Sequence, residues 1–90
     1  MCTYLTSTAP LAGSALGSDG WFSLGQAVVY FDHPQDAGAE HALCIDFRPG
    51  GDADPARRVA VELDAVSARA LAAQILATLN HEEVRALTGG

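Results

Sequence analysis

Two neighbouring segments of the chain alternate apolar and polar residues in the same phase, and this pattern predicts one particular β-hairpin. Residues 26–33 and 41–47 both repeat with a period of two, which is typical of half-buried strands. When position 33 is paired with position 41, the large apolar residues of the two strands lie opposite each other. The resulting pairs are Phe31 with Leu43, Val29 with Ile45 and Ala27 with Phe47. A shift by one residue would bury Asp32 and Asp46 instead, so the sequence favours this single register.

Signals outside this hairpin predict the remaining elements. Residues 2–8 predict a first strand, residues 10–20 a loop or partly ordered connector, and residues 58–63 a last strand. A helix is expected over residues 64–79 with Asp64 as its N-cap, and another turn or two can follow it. The helix carries an apolar stripe formed by Ala68, Leu71, Ala72, Ile75, Leu76 and Leu79.

This order of elements predicts the α+β class. We expect a small antiparallel sheet of three to four strands, arranged as a meander, with one C-terminal helix packed on one face. Ninety residues suffice for one domain that spans residues 1–90. One helix covers only part of such a sheet, so the second face is either solvated or meets another subunit, and we expect a homodimer. That second face carries Val28, Tyr30, Asp32, Ala42, Cys44, Asp46, Ala60 and Glu62.

Charge and hydropathy narrow the partners and the compartment. Eleven acidic and five basic residues give a formal charge of −6, which repels polyanions, so we expect no binding to nucleic acid. No apolar run approaches the roughly 18 residues of a membrane-spanning helix, and the first residues lack the basic and apolar regions of a secretory signal. We therefore expect a soluble cytoplasmic protein, without a membrane partner, whose Cys2 and Cys44 stay reduced.

His33 and His41 are the main candidate site residues. In the predicted register they lie opposite each other, with Cβ atoms roughly 5 Å apart, so both imidazoles can reach one ion or ligand. A zinc site needs three or four ligands, so the pair requires at least one further donor. Cys2 is the main candidate if the first strand starts beside the histidines, and Glu40 in the intervening loop is a second. Asp32 points to the opposite face because of the strand alternation.

Other interpretations of these residues stay open. The two histidines can instead close the mouth of the core as neutral rings, hydrogen-bonded to loop carbonyls. Cys2 would become an amino-terminal nucleophile after removal of Met1, although the fold of hydrolases of that kind needs far more than ninety residues. Cys44, which lies opposite Tyr30, is expected to be simply buried. His81 is expected in a solvated position just past the helix.

Acidic and aromatic side chains supply secondary candidates. Asp32, Asp46 and Glu62 share the second face and could bind a hard cation, although a solvated face is the simpler interpretation. Tyr30 and Trp21, the latter beside a loop rich in Gly and Ser, are candidates for contact with a small ligand or a partner. The sequence contains no phosphate-binding loop, nucleophile elbow, CxxC or HExxH motif.

Short phrases spread along the chain form a recognisable combination. They are Met1-Cys-Thr-Tyr-Leu-Thr, Gly20-Trp-Phe, Val29-Tyr-Phe-Asp-His-Pro, Glu40-His-Ala-Leu-Cys-Ile-Asp-Phe, and Ala60-Val-Glu-Leu with a later Ser-Ala-Arg-Ala-Leu. Together they resemble a family of short, functionally uncharacterised proteins of actinobacteria. The resemblance covers nearly the whole chain and implies a free-standing bacterial protein, but it assigns no role to any residue.

The sequence therefore leads to two hypotheses. In the first, His33 and His41, with Cys2 as a further candidate, bind a transition metal such as zinc or act as acid and base in a small enzyme of bacterial metabolism or biosynthesis. In the second, the protein is a non-enzymatic binding or accessory module that works through the second sheet face or the loop of Trp21. A small-molecule ligand is compatible with both.

Overall fold

The computed structural model describes residues 5–33 and 41–89, and its elements follow the predicted order of strands and then helix. They are β1 (Leu5–Gly17), β2 (Gly20–Asp32), β3 (Ala42–Pro49), β4 (Val59–Leu63), α1 (Ala65–Leu79) and α2 (Glu82–Thr88). The predicted α+β class is confirmed. The short helix α2 follows the one long helix that the sequence indicates.

The four strands form one antiparallel sheet in which each strand pairs with its neighbour along the chain. Between β2 and β3, Phe31 pairs with Leu43 and Val29 pairs with Ile45. Strand β4 continues this register, since Val61 also pairs with Ile45. The predicted meander and the predicted register of its central hairpin are both confirmed.

The β1–β2 hairpin is much longer than the sequence suggests. Strand β1 runs to Gly17, so residues 10–20, which were predicted as a loop, form strand and a tight turn, and that prediction is wrong. Gly17 pairs with Gly20 across a two-residue turn of Ser18 and Asp19, and Gly20 has a φ of 108° that suits glycine. The small residues of β1 have low strand propensity, but pairing with β2 overrides it.

A bulge at Gly25 brings two backbone segments close together. The pairing of β2 with β3 shifts register between Leu24 and Gln26, which leaves Gly25 as the extra residue. A Cβ atom on Gly50 would stand 2.7 Å from the Cα atom of Gly25. The Gly50 amide also donates a hydrogen bond of 3.0 Å to the carbonyl oxygen of Ser23. Position 50 therefore requires glycine, because a side chain there would overlap with the backbone of β2.

The loop between β3 and β4 holds the tip of the first hairpin. The guanidinium carbon of Arg57 lies 4.5 Å from the centre of the buried Phe22 ring. Arg57 also donates a hydrogen bond from Nη2 to the carbonyl oxygen of Gly20, with a length of 2.8 Å. These two contacts fix the turn of the first hairpin against a loop that is distant in sequence.

The ends of the helices follow their capping residues. Asp64 caps α1 as predicted, since its carboxylate accepts a hydrogen bond of 2.7 Å from the amide of Ser67. Asn80 is the C-cap of α1. His81 is exposed and caps α2, where its Nδ1 accepts from the amide of Glu83 at 3.3 Å. In the part of the chain that the structure describes, no helix is long and apolar enough to span a membrane.

The alternation of the strands gives the sheet two faces, which differ in their side chains. The histidine face carries Val29, Phe31, His33, His41, Leu43, Ile45, Phe47, Val61 and Leu63, and α1 lies over part of it. The tyrosine face carries Val28, Tyr30, Asp32, Ala42, Cys44, Asp46, Ala60 and Glu62.

Burial is distributed between these faces differently from the prediction. On the tyrosine face Ala42 is 0% exposed, Cys44 is 3% exposed, and Asp32 and Asp46 are each 4% exposed. The large apolar residues of the histidine face are only half-buried. The interpretation of the tyrosine face as a solvated surface is therefore wrong at its centre. Helix α1 does not close the histidine face, because Ile75 in its apolar stripe stays 51% exposed.

Candidate functional site

His33 and His41 lie side by side at the end of the central hairpin. His33 directly follows β2 and His41 directly precedes β3, so the confirmed register brings them opposite each other. Their ring centroids are 5.1 Å apart and their ring planes are inclined by 31°. His41 also stacks on Phe31, with centroids 5.9 Å apart and planes inclined by 22°. The hairpin thus brings two imidazoles together beside an aromatic ring.

The spacing of the two imidazoles matches that of two ligands of one metal ion. An imidazole bound to zinc has its ring centroid about 3.2 Å from the ion, since the Zn–N bond is about 2.0 Å long. Two such rings at a tetrahedral angle have centroids about 5.2 Å apart. The observed centroid separation of 5.1 Å is close to this value. His33 is exposed and His41 is half-buried, so an ion from solvent has access to the pair.

The residues expected to complete a metal site are placed differently. Cys2 and Glu40 lie outside the described residues. Asp32 belongs to the tyrosine face, as the alternation predicts, and its Oδ1 accepts a hydrogen bond of 2.7 Å from the backbone amide of His33. Within residues 5–33 and 41–89, no group of three or more His, Cys, Asp or Glu side chains is arranged to hold a metal ion. Of the candidate residues, the described part of the chain therefore brings together the two imidazoles of His33 and His41.

Tyr30 and Cys44 lie directly opposite each other on the tyrosine face, where Cys44 is buried and Tyr30 is half-buried. The Cys44 thiol donates a hydrogen bond of 3.8 Å from Sγ to the carbonyl oxygen of Ala42. Burial raises the pKa of the Cys44 thiol, and the nearby carboxylates of Glu62 and Asp32 raise it further. Burial also raises the pKa of Tyr30, with a smaller contribution from Cys44. A buried thiol with a raised pKa is a poor nucleophile, so Cys44 is a packing residue here, as the sequence suggested.

Asp46 is a buried carboxylate with two arginine neighbours. Its Oδ2 accepts a hydrogen bond of 3.1 Å from Nε of Arg48, and its Oδ1 lies 3.7 Å from Nε of Arg58. Both arginines are about half exposed, so they bring positive charge to the edge of the tyrosine face from the solvent side. The arginines neutralise Asp46, which makes this end of the acidic set unsuitable as a cation site.

Trp21 lies at the tip of the first hairpin and is 68% exposed. It pairs across the hairpin with Leu16, which is 62% exposed. Phe22, the neighbour of Trp21 in the sequence, points inwards and is 7% exposed. The turn therefore presents one pair of large apolar side chains to solvent, while the Arg57 contacts hold its backbone in place.

An apolar groove lies on the histidine face between α1 and the sheet. Its volume is about 350 Å³, and Arg69 is the one charged residue among the described residues that line it. The sheet contributes Leu43, two residues after His41 and therefore on the same face, so the groove and the histidine pair share one surface. The other lining residues are Val29, Ile45, Leu63, Ala68, Leu71, Ala72 and Ile75.

Sequence reasoning missed this groove. The helix stripe predicts that Leu71 and Ile75 cover the sheet, and both do line the groove, yet they are 47% and 51% exposed. The signal available in the sequence was the composition of α1, which contains Arg69 and no acidic residue in a chain of net charge −6. Such a helix differs from the acidic surface expected for the rest of the molecule.

These features define a small α+β protein with a four-stranded meander and a histidine pair at the end of its central hairpin. The chain matches the model of the Family of unknown function (DUF6295) over residues 1–88, and it belongs to this family. The resemblance found in the sequence is thereby confirmed at the level of a family without an assigned function. No curated protein and no solved structure matched the chain.

Proposed function

We propose that this protein binds a divalent transition metal, zinc being the best fit, through His33 and His41. The observation that carries the proposal is the centroid separation of 5.1 Å, which is compatible with two imidazoles on one tetrahedral ion. Cys2 is the proposed third ligand and Glu40 a further one, since thiolate and carboxylate both bind zinc. A coordination position left open by these ligands would admit water or a small-molecule substrate, which is the enzymatic form of the proposal.

The test is a zinc titration of the full chain, purified without an affinity tag and freed of metal. We expect one equivalent to bind, with affinity reduced by at least about tenfold in His33→Ala and in His41→Ala. His81→Asn is the matched control, because it removes the third histidine and keeps a side chain that can cap α2. Equal affinity in wild type and His33→Ala, or an equal loss in His81→Asn, would contradict the proposal.

The role of Cys2 has its own readout. Cobalt(II) in place of zinc gives an intense charge-transfer absorption when a thiolate is a ligand, so wild type should show this band and Cys2→Ser should lose it. A band that persists in Cys2→Ser but disappears in Cys44→Ser would show that the thiolate ligand is Cys44 and not Cys2. If wild type itself shows no such band and binding still needs both histidines, the third ligand is not a thiolate.

A second candidate function is a binding module that uses the tip of the first hairpin. The exposed pair of Trp21 and Leu16 favours it, since large apolar side chains at the surface commonly mark contact sites. The tyrosine face, the other surface considered for this role, is buried at Ala42 and Cys44 and offers less. Loss of partner binding in Trp21→Ala, with His33→Ala unaffected, would support this function over the metal site.

We also propose a compartment, a source and an oligomeric state for the protein. We place it in the cytoplasm of an actinobacterium, as the sequence suggests, and we propose that it is a homodimer. The main support for a dimer is the large amount of apolar surface that the single chain leaves exposed, including half of each leucine and isoleucine of α1 that was predicted to cover the sheet.

A further inference from the structure

The isolated chain has a larger accessible surface and a larger radius of gyration than a compact monomer of its size is expected to have. Its accessible surface is 6596 Å². A folded monomer of 9.3 kDa is expected to expose about 5,000 Å². The radius of gyration of 14.9 Å also exceeds the value of about 12 Å expected for a compact domain of ninety residues. The excess of about 1,600 Å² per chain lies within what obligate homodimers bury, which is about 1,000 to 2,500 Å² per chain.

Much of the apolar part of this excess lies on α1. Leu71 is 47% exposed, Ile75 and Leu79 are each 51% exposed, and Leu76 is 59% exposed. These four residues belong to one continuous stripe of the helix, and Leu71 and Ile75 also line the groove on the histidine face. Monomeric proteins rarely expose a continuous apolar surface of this kind. Among residues 5–33 and 41–89, α1 and the sheet leave the stripe and the groove open to solvent.

The charge of this surface suits a second copy of the same chain. Each chain carries a formal charge of −6, so two copies repel each other over most of their surfaces. Helix α1 is an exception, because Arg69 is its only charged residue and it contains no acidic residue. Two copies that meet through α1 therefore bring together apolar side chains and keep their carboxylates apart. A two-fold axis achieves this with a single self-complementary patch.

We propose that a second copy of this chain docks on α1 and the adjoining groove of the histidine face, and that this contact is the homodimer interface. The proposal rests on the homodimer proposed above and specifies its surface. It differs from the expectation that the sheet's second face meets the partner, since the centre of that face is already buried within one chain. In this dimer the histidine pair lies on the same sheet face as the interface.

The test compares two acidic substitutions on opposite sides of α1. Ile75→Glu places a charge in the proposed interface. Val66→Glu makes a comparable change at a residue that is 76% exposed and lies about 180° around the helix from Ile75. Sedimentation equilibrium of the full chain should show dimers for wild type and for Val66→Glu. We expect the dissociation constant of Ile75→Glu to rise by at least about 100-fold.

A second measurement covers the case in which Ile75→Glu fails to fold. The unfolding midpoint of wild type should rise with protein concentration, as it must when dissociation accompanies unfolding. The milder Ile75→Ala should lower that midpoint while circular dichroism stays native. A midpoint independent of concentration in wild type would overturn the proposal.

The remaining outcomes separate this inference from the proposed function. A dimer that survives Ile75→Glu overturns the α1 surface and leaves the homodimer standing, whereas a monomeric wild type overturns both. If native mass spectrometry shows a monomer with an apolar small molecule bound, the groove is a ligand site, and the proposal that a second copy docks there is overturned. Zinc binding through His33 is measured separately and is independent of all these results.

Discussion

The histidine face and the tyrosine face of the same sheet achieve burial by different means. The histidine face carries the larger apolar side chains, yet they stay half-buried because α1 covers only part of them. The tyrosine face carries small and acidic residues, yet several of them are buried, with Ala42 at 0% exposure. The Cys44 thiol donates a hydrogen bond to the Ala42 carbonyl there, and Arg48 donates one to Asp46. Side-chain size at neighbouring positions thus decides burial as much as hydrophobicity does.

The two faces also differ in the polar groups that they carry and in how these groups are paired. On the tyrosine face, Arg48 and Arg58 of the same chain form ion pairs that neutralise the buried carboxylate of Asp46. The histidine face combines an apolar groove with two adjacent imidazoles.

Enlarging a buried side chain of the tyrosine face should lower the free energy of unfolding the most. Ala42→Leu adds three carbon atoms at a position with no exposed surface, so we expect the free energy of unfolding to fall by about 3 kcal/mol. Ala60→Leu is the matched control, since it makes the same change at an exposed position of the same face and should cost less than about 0.5 kcal/mol. Urea unfolding at one fixed protein concentration measures both. Equal costs would mean that the tyrosine face is not closed.

The close backbone approach at the bulge should give the next largest effect. Gly50→Ala places a Cβ atom 2.7 Å from the Cα of Gly25, and we expect a loss of about 1 to 2 kcal/mol as the two segments separate. At Gly13 a Cβ atom would meet nothing within 4 Å, so Gly13→Ala should be close to neutral or slightly stabilising. Thermal unfolding compares them, and an unchanged midpoint in Gly50→Ala would show that this contact bears no strain.

Burial on the tyrosine face should also protect the Cys44 thiol from chemical labelling. In a Cys2→Ser variant, Cys44 is the only cysteine, and its burial and raised pKa should slow labelling by a disulfide reagent at about pH 8 by roughly 100-fold relative to the unfolded chain. The control is Ala60→Cys in a variant whose two natural cysteines are replaced by serine. Its single thiol is at an exposed position and should be labelled at nearly the rate of the unfolded chain. Rapid native labelling of Cys44 would contradict the comparison of the faces.

The smallest effect concerns the helix over the histidine face. Hydrogen bonds from Ser67 lower the pKa of the Asp64 carboxyl below its ordinary value of 3.8. Because the folded pKa is lower than the unfolded one, the charged cap stabilises the fold above about pH 4, and this contribution is lost as the pH falls through the folded pKa. Asp64→Asn keeps a capping oxygen without titrating. The stability of wild type relative to Asp64→Asn should therefore decline as the pH falls below about 4 and through the folded pKa, and a constant difference would count against this linkage.

Alternation and capping explain which parts of the fold the sequence predicts. The register of the central hairpin follows from the apolar residues of β2 and β3, and α1 follows from Asp64 and Asn80, which are local signals. Strand β1 was missed beyond Thr8, because Pro10, Gly13 and small residues carry little strand propensity and their pairing with β2 is a tertiary effect. Local patterns cannot show such an effect.

The candidate site was predictable to the extent that it depends on register. The pairing of position 33 with position 41 gave the juxtaposition of the two imidazoles, which the structure confirms. The burial of Asp32 and Asp46 was not predictable, because it depends on which neighbouring side chains cover them in three dimensions. Cys2 and Glu40 remain predictions, and the metal titration with their substitutions decides their roles.

The strand order of the sheet has a consequence for how the chain folds. Each of the four strands pairs only with its neighbours in the sequence, so no pairing requires closure of a long loop. The mean sequence separation of the strand contacts is therefore low for a sheet protein, and folding is expected to be fast for this class. Each hairpin can form from its own turn outwards, and the two-residue turn before Gly20 gives the first hairpin the shortest loop to close.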